Sequence, residues 1–222
     1  MLNTLLDHSA KSPSKLLFLG AHSDDIEIGC YAALEYLLRT IPGIEVLWVV
    51  FCADGVRGDE AARSAGHLLR NVSTKKIVLK KFRDGFLPYS GPAVKDFFEE
   101  MKPLFDPDVV FTHFREDLHQ DHRLVSDLTW NTYRDHLIFE YEVPKYDGDI
   151  GSPNLFVPFG EETLNKKIGH LKERFGSQQA KKWFSAELFR SMARIRGMEC
   201  SSPQDYAEAF YCRKMVLRGT GG

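Results

Sequence analysis

The sequence is short of several features that would have assigned it quickly. It has no excess of either charge: 29 Lys and Arg stand against 31 Asp and Glu. No basic run is long enough to follow a phosphate backbone, so nucleic acid is not expected as a partner. No apolar stretch is long enough to span a bilayer. Met1 to Ser14 lacks the charged start and apolar core of an export signal, so a cytoplasmic location is expected. The four cysteines, Cys30, Cys52, Cys200 and Cys212, form no CxxC pair. They read as free thiols in a reducing compartment. There is no internal repeat, no low-complexity segment and no linker that cuts the chain. A length of 222 residues suits one sizeable core, and residues 1–222 are expected to form a single domain.

Apolar runs and helical periodicities alternate along the chain. Lys15–Leu19, Ile44–Cys52, Lys75–Leu79 and Val109–Thr112 read as strands, the first ending at Gly20. Helices are expected over Ile26–Arg39, Asp59–Arg70, Ala93–Phe105 and Arg123–Tyr133. This alternation implies βαβ units and an α/β fold, a Rossmann-like three-layer sandwich with a mostly parallel sheet. Leu137–Glu142 and Asn154–Val157 could add strands, with a loop rich in Pro, Gly and Asp between them. Glu161–Arg174 and Ala186–Arg196 read as helices.

In open α/β sheets ligands bind at the carboxyl ends of strands. Two of those ends are loaded with metal-binding chemistry. The first strand runs into Ala21-His22-Ser23-Asp24-Asp25. The fourth runs into His113 and on to Asp117-Leu118-His119-Gln120-Asp121-His122. A catalytic zinc takes three protein ligands and keeps one position open. His22 and Asp25, three apart on a turn entering a helix, can share one side, and His122 supplies a third donor. Asp24 then lies beside the metal as a general base, and His119 points into the same cavity. The plainer alternatives are that Asp24 or Asp25 caps a helix N-terminus, and that Asp121 does the same for the helix beginning at Arg123. Arg57, Asp84 and Asp117 sit on strand-end loops and are candidates for holding substrate hydroxyls. His8, His67, His136 and His170 read as surface or structural, and Trp48, Trp130 and Trp183 as packing residues.

These segments resemble the LmbE/PIG-L-like family of N-acetylglucosaminyl deacetylases. The family's AHPDD motif, followed by an acidic residue and Gly, stands here as AHSDDIEIG, Ala21–Gly29. Its His-x-Asp-His motif stands as HQDH, His119–His122. Three weaker patches are DGVRGDEAARSA (Asp54–Ala65), FRDGFLP (Phe82–Pro88) and YAEAF (Tyr206–Phe210). Ser23 replaces the usual Pro, which alters turn rigidity and leaves the chemistry intact. The resemblance implies His22, Asp25 and His122 as zinc ligands and Asp24 as general base. It implies His119 at the developing oxyanion and Asp121 as the carboxylate that steadies a neighbouring imidazole. Arg57 and Asp84 match positions that contact substrate hydroxyls.

The expected reaction is therefore zinc-dependent removal of an N-acetyl group from an amino sugar or its conjugate, giving acetate and a free amine. A protonated His119 would support the oxyanion. Fe(II) or Co(II) also suits such a donor set. The expected partner is a small-molecule amino-sugar substrate, and the resemblance implies a homo-oligomer. Alternatives are an amidase for another N-acyl or sugar–amino acid conjugate, and a non-haem iron oxygenase, which the βα alternation disfavours. A non-catalytic sugar- or nucleotide-binding module is disfavoured as well. The first turn lacks GxGxxG and brings negative charge where a pyrophosphate would sit. The loop Val143–Asn154 carries no assignable motif, and loops of that kind often set substrate choice.

Overall fold

A computed structural model of the protein describes residues 14–216. Residues 1–13, which include His8 and nearly all of the segment lacking an export-signal pattern, lie outside the described residues. Seven strands form one sheet: β1 (Lys15–His22), β2 (Glu45–Cys52), β3 (Thr74–Leu79), β4 (Val109–His113), β5 (Leu137–Tyr141), β6 (Leu155–Phe159) and β7 (Tyr206–Cys212). Six helices accompany them: α1 (Asp25–Thr40), α2 (Gly55–Leu68), α3 (Gly91–Met101), α4 (Gln120–Thr132), α5 (Glu161–Arg174) and α6 (Ala186–Glu199). The sheet order is β3-β2-β1-β4-β5-β7-β6. The first five of these strands pair in parallel, and β7 pairs antiparallel with both β5 and β6.

The central strands are apolar on both faces because both faces are covered. Along β1, Leu16 and Phe18 join a core with Val46, Trp48, Leu164 and Phe189, on the side of α1, α5 and α6. Leu17 and Leu19 alternate to the other face, with Val49, Val94, Phe98 and Val125 under α3 and α4. The result is a three-layer α/β/α sandwich. The edges are blunted in the usual ways: β3 exposes Lys75 and Lys76, and β6 carries an exposed Pro158.

Several details differ from the sequence expectation, among them the end of α3, at Met101 rather than Phe105. Helix α2 starts four residues earlier than Asp59, at Gly55, whose φ of +54° is one that glycine adopts without strain. Helix α4 starts at Gln120, with His119 as its N-cap, so HQDH opens the helix rather than preceding it. The segment YAEAF belongs to a strand, β7, inserted between β5 and β6. The βα alternation could not foretell this, because an antiparallel strand can add anywhere that an edge is free.

Gly29 closes the first motif for a packing reason. A Cβ there would lie 2.3 Å from Cδ2 of Tyr141. Tyr141 cannot yield easily: it is fully buried, and its hydroxyl donates to the Leu19 carbonyl at 2.7 Å. Gly29→Ala is expected to destabilise the fold by about 1–3 kcal/mol through overpacking, read as a lower urea midpoint. An unchanged midpoint would contradict that packing.

Candidate active site

The loops that follow β1, β2, β3 and β4 meet at one end of the sheet, where a parallel sheet opens its crevice. The β1–α1 turn brings His22, Asp24 and Asp25. The start of α2 brings Arg57, the loop after β3 brings Asp84, and the β4–α4 connection brings Asp117, His119, Asp121 and His122.

Three donor atoms converge there. His22 Nδ1 lies 3.1 Å from His122 Nε2 and 3.3 Å from Asp25 Oδ2, and His122 Nε2 lies 3.5 Å from Asp25 Oδ2. The tautomers follow from the opposite ring nitrogens. His122 Nδ1 faces Asp117 Oδ2 at 2.9 Å, so it carries the proton and leaves Nε2 with a lone pair. His22 Nε2 faces Asp84 Oδ1 at 3.0 Å and Asp121 Oδ2 at 3.2 Å, so its proton sits there and Nδ1 is free to coordinate. Two ring nitrogens and a carboxylate oxygen thus face one another, and with His22 drawn toward its charged form only the proton on its Nδ1 stands among them. That arrangement is satisfied by a cation, and the His/His/Asp set suits zinc. Burial and the neighbouring His113 push His122 down to about 3, keeping it neutral. Burial opposes charge on His22 too, yet Asp25, Asp121 and Asp84 outweigh it and raise its pKa. The carboxylates that attract a proton to His22 equally attract a metal.

Asp24 stands at the N-cap position of α1, but its side chain makes no capping hydrogen bond. The plain capping reading therefore does not describe it. It is buried, its Oδ2 has no partner among the described residues, and its Oδ1 lies 3.8 Å from Arg57. Burial and the charge of Asp25 push its pKa up to about 6. A carboxylate with an unused oxygen and raised proton affinity, beside the converging donor atoms, has the character of a general base.

His119 accepts the Asp121 backbone N–H on Nδ1 at 3.2 Å, so its proton lies on Nε2. Its ring stands edge-on to His22 with centroids 4.8 Å apart. Burial, with the His22 charge, lowers its pKa. The lowered pKa favours the neutral form, with an N–H to donate, over the imidazolium. Asp121 is not an N-cap either. Its carboxylate accepts the backbone N–H groups of Gly85 and Leu87 and meets His22 Nε2. Metal-ligating histidines are oriented by carboxylates in this way.

Arg57 and Asp84 pair with each other at the crevice mouth, and the Asp84 side chain is 52% exposed. Asp117 is not at the mouth. It is 2% exposed, and its oxygens accept from His122 Nδ1, from the His119 backbone N–H and from Lys145 Nζ. Three of its acceptor positions are used beneath the site, so it faces His122, His119 and Lys145 rather than the mouth.

Several residues that the sequence did not single out also build the site. Lys145, on the loop without a motif, donates to Asp117 at 2.8 Å and to Asp149 at 2.5 Å, and Asp149 accepts the Leu118 N–H. His113 ends β4 and stacks on His122 with centroids 3.9 Å apart. Its Nε2 accepts the Ala21 N–H at 2.9 Å, so it braces the ligand ring. Glu27, the acidic residue of the first motif, points away from the metal donors to Ser64 and is pushed by burial up to about 8. Besides the donor groups His22–His119–His122 and Asp25–His113–His122, Cys52 lies close enough to His22 and Asp121 to form another, but burial pushes its thiol up to about 12.

The surroundings of this site agree with comparisons to known proteins. Residues 17–133, more than half of the chain, match the family described as PIG-L: GlcNAc-PI de-N-acetylase. No curated protein matches the sequence. Among solved structures, the chain is similar to N,N'-diacetylchitobiose deacetylase from Pyrococcus horikoshii, at 23% identity and a TM-score of 0.68, covering 92% of this chain and 85% of that one. It is similar to the zinc-inhibited form of teicoplanin deacetylase Orf2, at 17% identity and a TM-score of 0.68, covering 94% and 100%. It is also similar to GalB, the 4-carboxy-2-hydroxymuconate hydratase of Pseudomonas putida KT2440, at 14% identity and a TM-score of 0.67, covering 94% and 100%. At these identities the likeness is one of fold. Among the described residues no helix is long and apolar enough to cross a membrane. With the family match spanning the strands and turns that carry the convergent donors, this chain belongs to the PIG-L de-N-acetylase family.

Proposed function

We propose that this protein is a metal-dependent hydrolase that removes the N-acetyl group from an amino sugar carried on a larger conjugate. The observation that carries the reading is the convergence of His22 Nδ1, His122 Nε2 and Asp25 Oδ2 within 3.5 Å, with the unpartnered Asp24 beside them. His22, Asp25 and His122 would hold zinc. A bound zinc ion supplies an acidified water and polarises the acetamide carbonyl. Asp24 takes the proton from the attacking water. His119 Nε2–H donates to the carbonyl oxygen as it gains charge, a contribution of about 3–4 kcal/mol for a well-placed donor. Asp24 then passes its proton to the nitrogen as the C–N bond breaks, leaving acetate and an amine. Asp121 and Asp117 hold the two ligand imidazoles, and Arg57 and Asp84 at the mouth receive sugar hydroxyls.

The rim favours a conjugate over a free sugar. Val56 is 67% exposed beside Arg57, Leu118 is 53% exposed beside His119, and Tyr89 and Tyr146 are 82% and 70% exposed on neighbouring loops. Val56 in the first turn of α2 and Leu118 in the β4–α4 connection put exposed apolar side chains next in sequence to Arg57 and His119, which suits the apolar part of an attached group. A single domain over the described residues is part of this reading, supported by β7 and α6 packing into the sheet and core that β1 begins.

The test is acetate release from N-acetylglucosamine and a panel of its conjugates, using protein stripped by chelator and restored with zinc. Release that returns with zinc, is faster for conjugates and vanishes in His122→Ala supports the reading. No release from any member, with zinc bound, contradicts it and turns attention to a different N-acyl substrate or to a hydration such as the one GalB is named for.

A further inference from the structure

Behind the site lies a buried ion pair that none of these steps uses. Glu208 stands in the middle of β7, within the YAEAF segment, and is 5% exposed. Its two carboxylate oxygens accept the backbone N–H groups of Ala32 at 2.9 Å and Ala33 at 2.8 Å, in α1. In an uninterrupted helix those amides donate to the carbonyls of Ile28 and Gly29. The Ile28 carbonyl instead receives Lys167 Nζ of α5 at 2.5 Å, and the same ammonium bonds Glu208 at 2.8 Å. An ammonium and a carboxylate are therefore set into the hydrogen-bond ladder of α1, the ammonium about one turn and the carboxylate about two turns beyond Asp25. Insertion of a side chain into that ladder is one of the few causes that redirect a helix.

The first turn of α1 is fastened separately from the rest of the helix. The Ile28 N–H donates to the Asp24 carbonyl at 3.0 Å, Ser64 of α2 holds Glu27, and Gly29 packs on Tyr141. This turn carries the proposed base and one proposed ligand. A buried ion pair contributes little to stability compared with apolar packing of the same volume. Each carboxylate oxygen takes one of the two adjacent amides, an arrangement that a neutral amide side chain, with one oxygen and one NH₂, does not reproduce.

We propose that Glu208 and Lys167 are positioning residues, which fix how the first turn of α1 departs from the helix behind it and so place Asp24 and Asp25 against His122. This rests on the deacetylase reading for its catalytic consequence, but not for its effect on metal binding.

The test uses the full chain as Glu208→Gln and as the double variant Lys167→Met/Glu208→Gln, which removes both charges together. Three readouts are taken: hydrogen exchange at the Ala32 and Ala33 amides, zinc affinity by chelator competition, and kcat and KM for acetate release at saturating zinc. The expected result is a folded protein with faster exchange at those amides, zinc binding weakened about 10-fold or more, and kcat reduced about 10–100-fold with KM nearly unchanged. Parental zinc affinity in the folded double variant would overturn the proposal. So would loss of folding in both variants, which would make the pair a stability element. A parent that binds zinc but releases no acetate would defeat the deacetylase reading alone, and zinc affinity would still decide this one.

Discussion

Asp24→Asn is expected to retain zinc and to lose turnover by about 10²–10⁴-fold, the usual contribution of a positioned general base. The substitution is nearly isosteric and leaves an oxygen for Arg57, which lies 3.8 Å from Asp24 Oδ1. It also separates two roles cleanly. Asn and Asp are about equally good N-caps, so a residue serving only as the cap of α1 would tolerate the change with full activity. The structure shows no capping bond from this side chain, and the expected loss follows from removing a proton acceptor alone. Steady-state kinetics with metal analysis of the same sample measures both halves, and near-parental kcat with zinc bound would remove Asp24 from the mechanism.

Asp117→Asn is expected to weaken zinc binding by about 10–100-fold, the range found when a carboxylate behind a ligand histidine is altered. In the parent, one oxygen of Asp117 meets both His122 Nδ1 and Lys145 Nζ. The other oxygen holds the His119 backbone. Asn offers a single acceptor, and its NH₂ group would face either an imidazole N–H, an ammonium or a backbone N–H. His122 then loses the bond that fixes its tautomer. Were Asp117 a sugar contact, the substitution would raise KM and leave zinc affinity unchanged. Competition with a chromogenic chelator, alongside KM, distinguishes the two.

Much of this arrangement was legible in the residues, for physical reasons that can be named. Buried parallel strands must be apolar on both faces, so β1 and β2 announce themselves as runs such as KLLFL and IEVLWVVFC. The donors come from two short segments, His22–Asp25 and His119–His122, whose spacing survives into the fold as one cluster. The remainder depends on contacts that spacing does not encode. Lys145 meets Asp117 across 28 residues, and Glu208 meets Ala32 across 176. His113 is a lone histidine at a strand end, and only its stacking on His122 gives it a role. Asp117 looked like a loop carboxylate open to substrate until the β5–β6 loop covered it. The strand β7 has a buried glutamate near its centre, which breaks the kind of apolar run that marks β1 and β2.

The most direct test of the account is the position of the metal. Crystals of the stripped protein, soaked in zinc and measured at the zinc absorption edge, should give one strong anomalous peak at roughly 2.0–2.2 Å from His22 Nδ1, His122 Nε2 and a carboxylate oxygen of Asp25. Asp24 should lie beside that peak without binding it. A peak between His22, Cys52 and Asp121 instead, where another donor group exists, or no peak at the His22–Asp25–His122 cluster, would contradict the proposed catalytic centre.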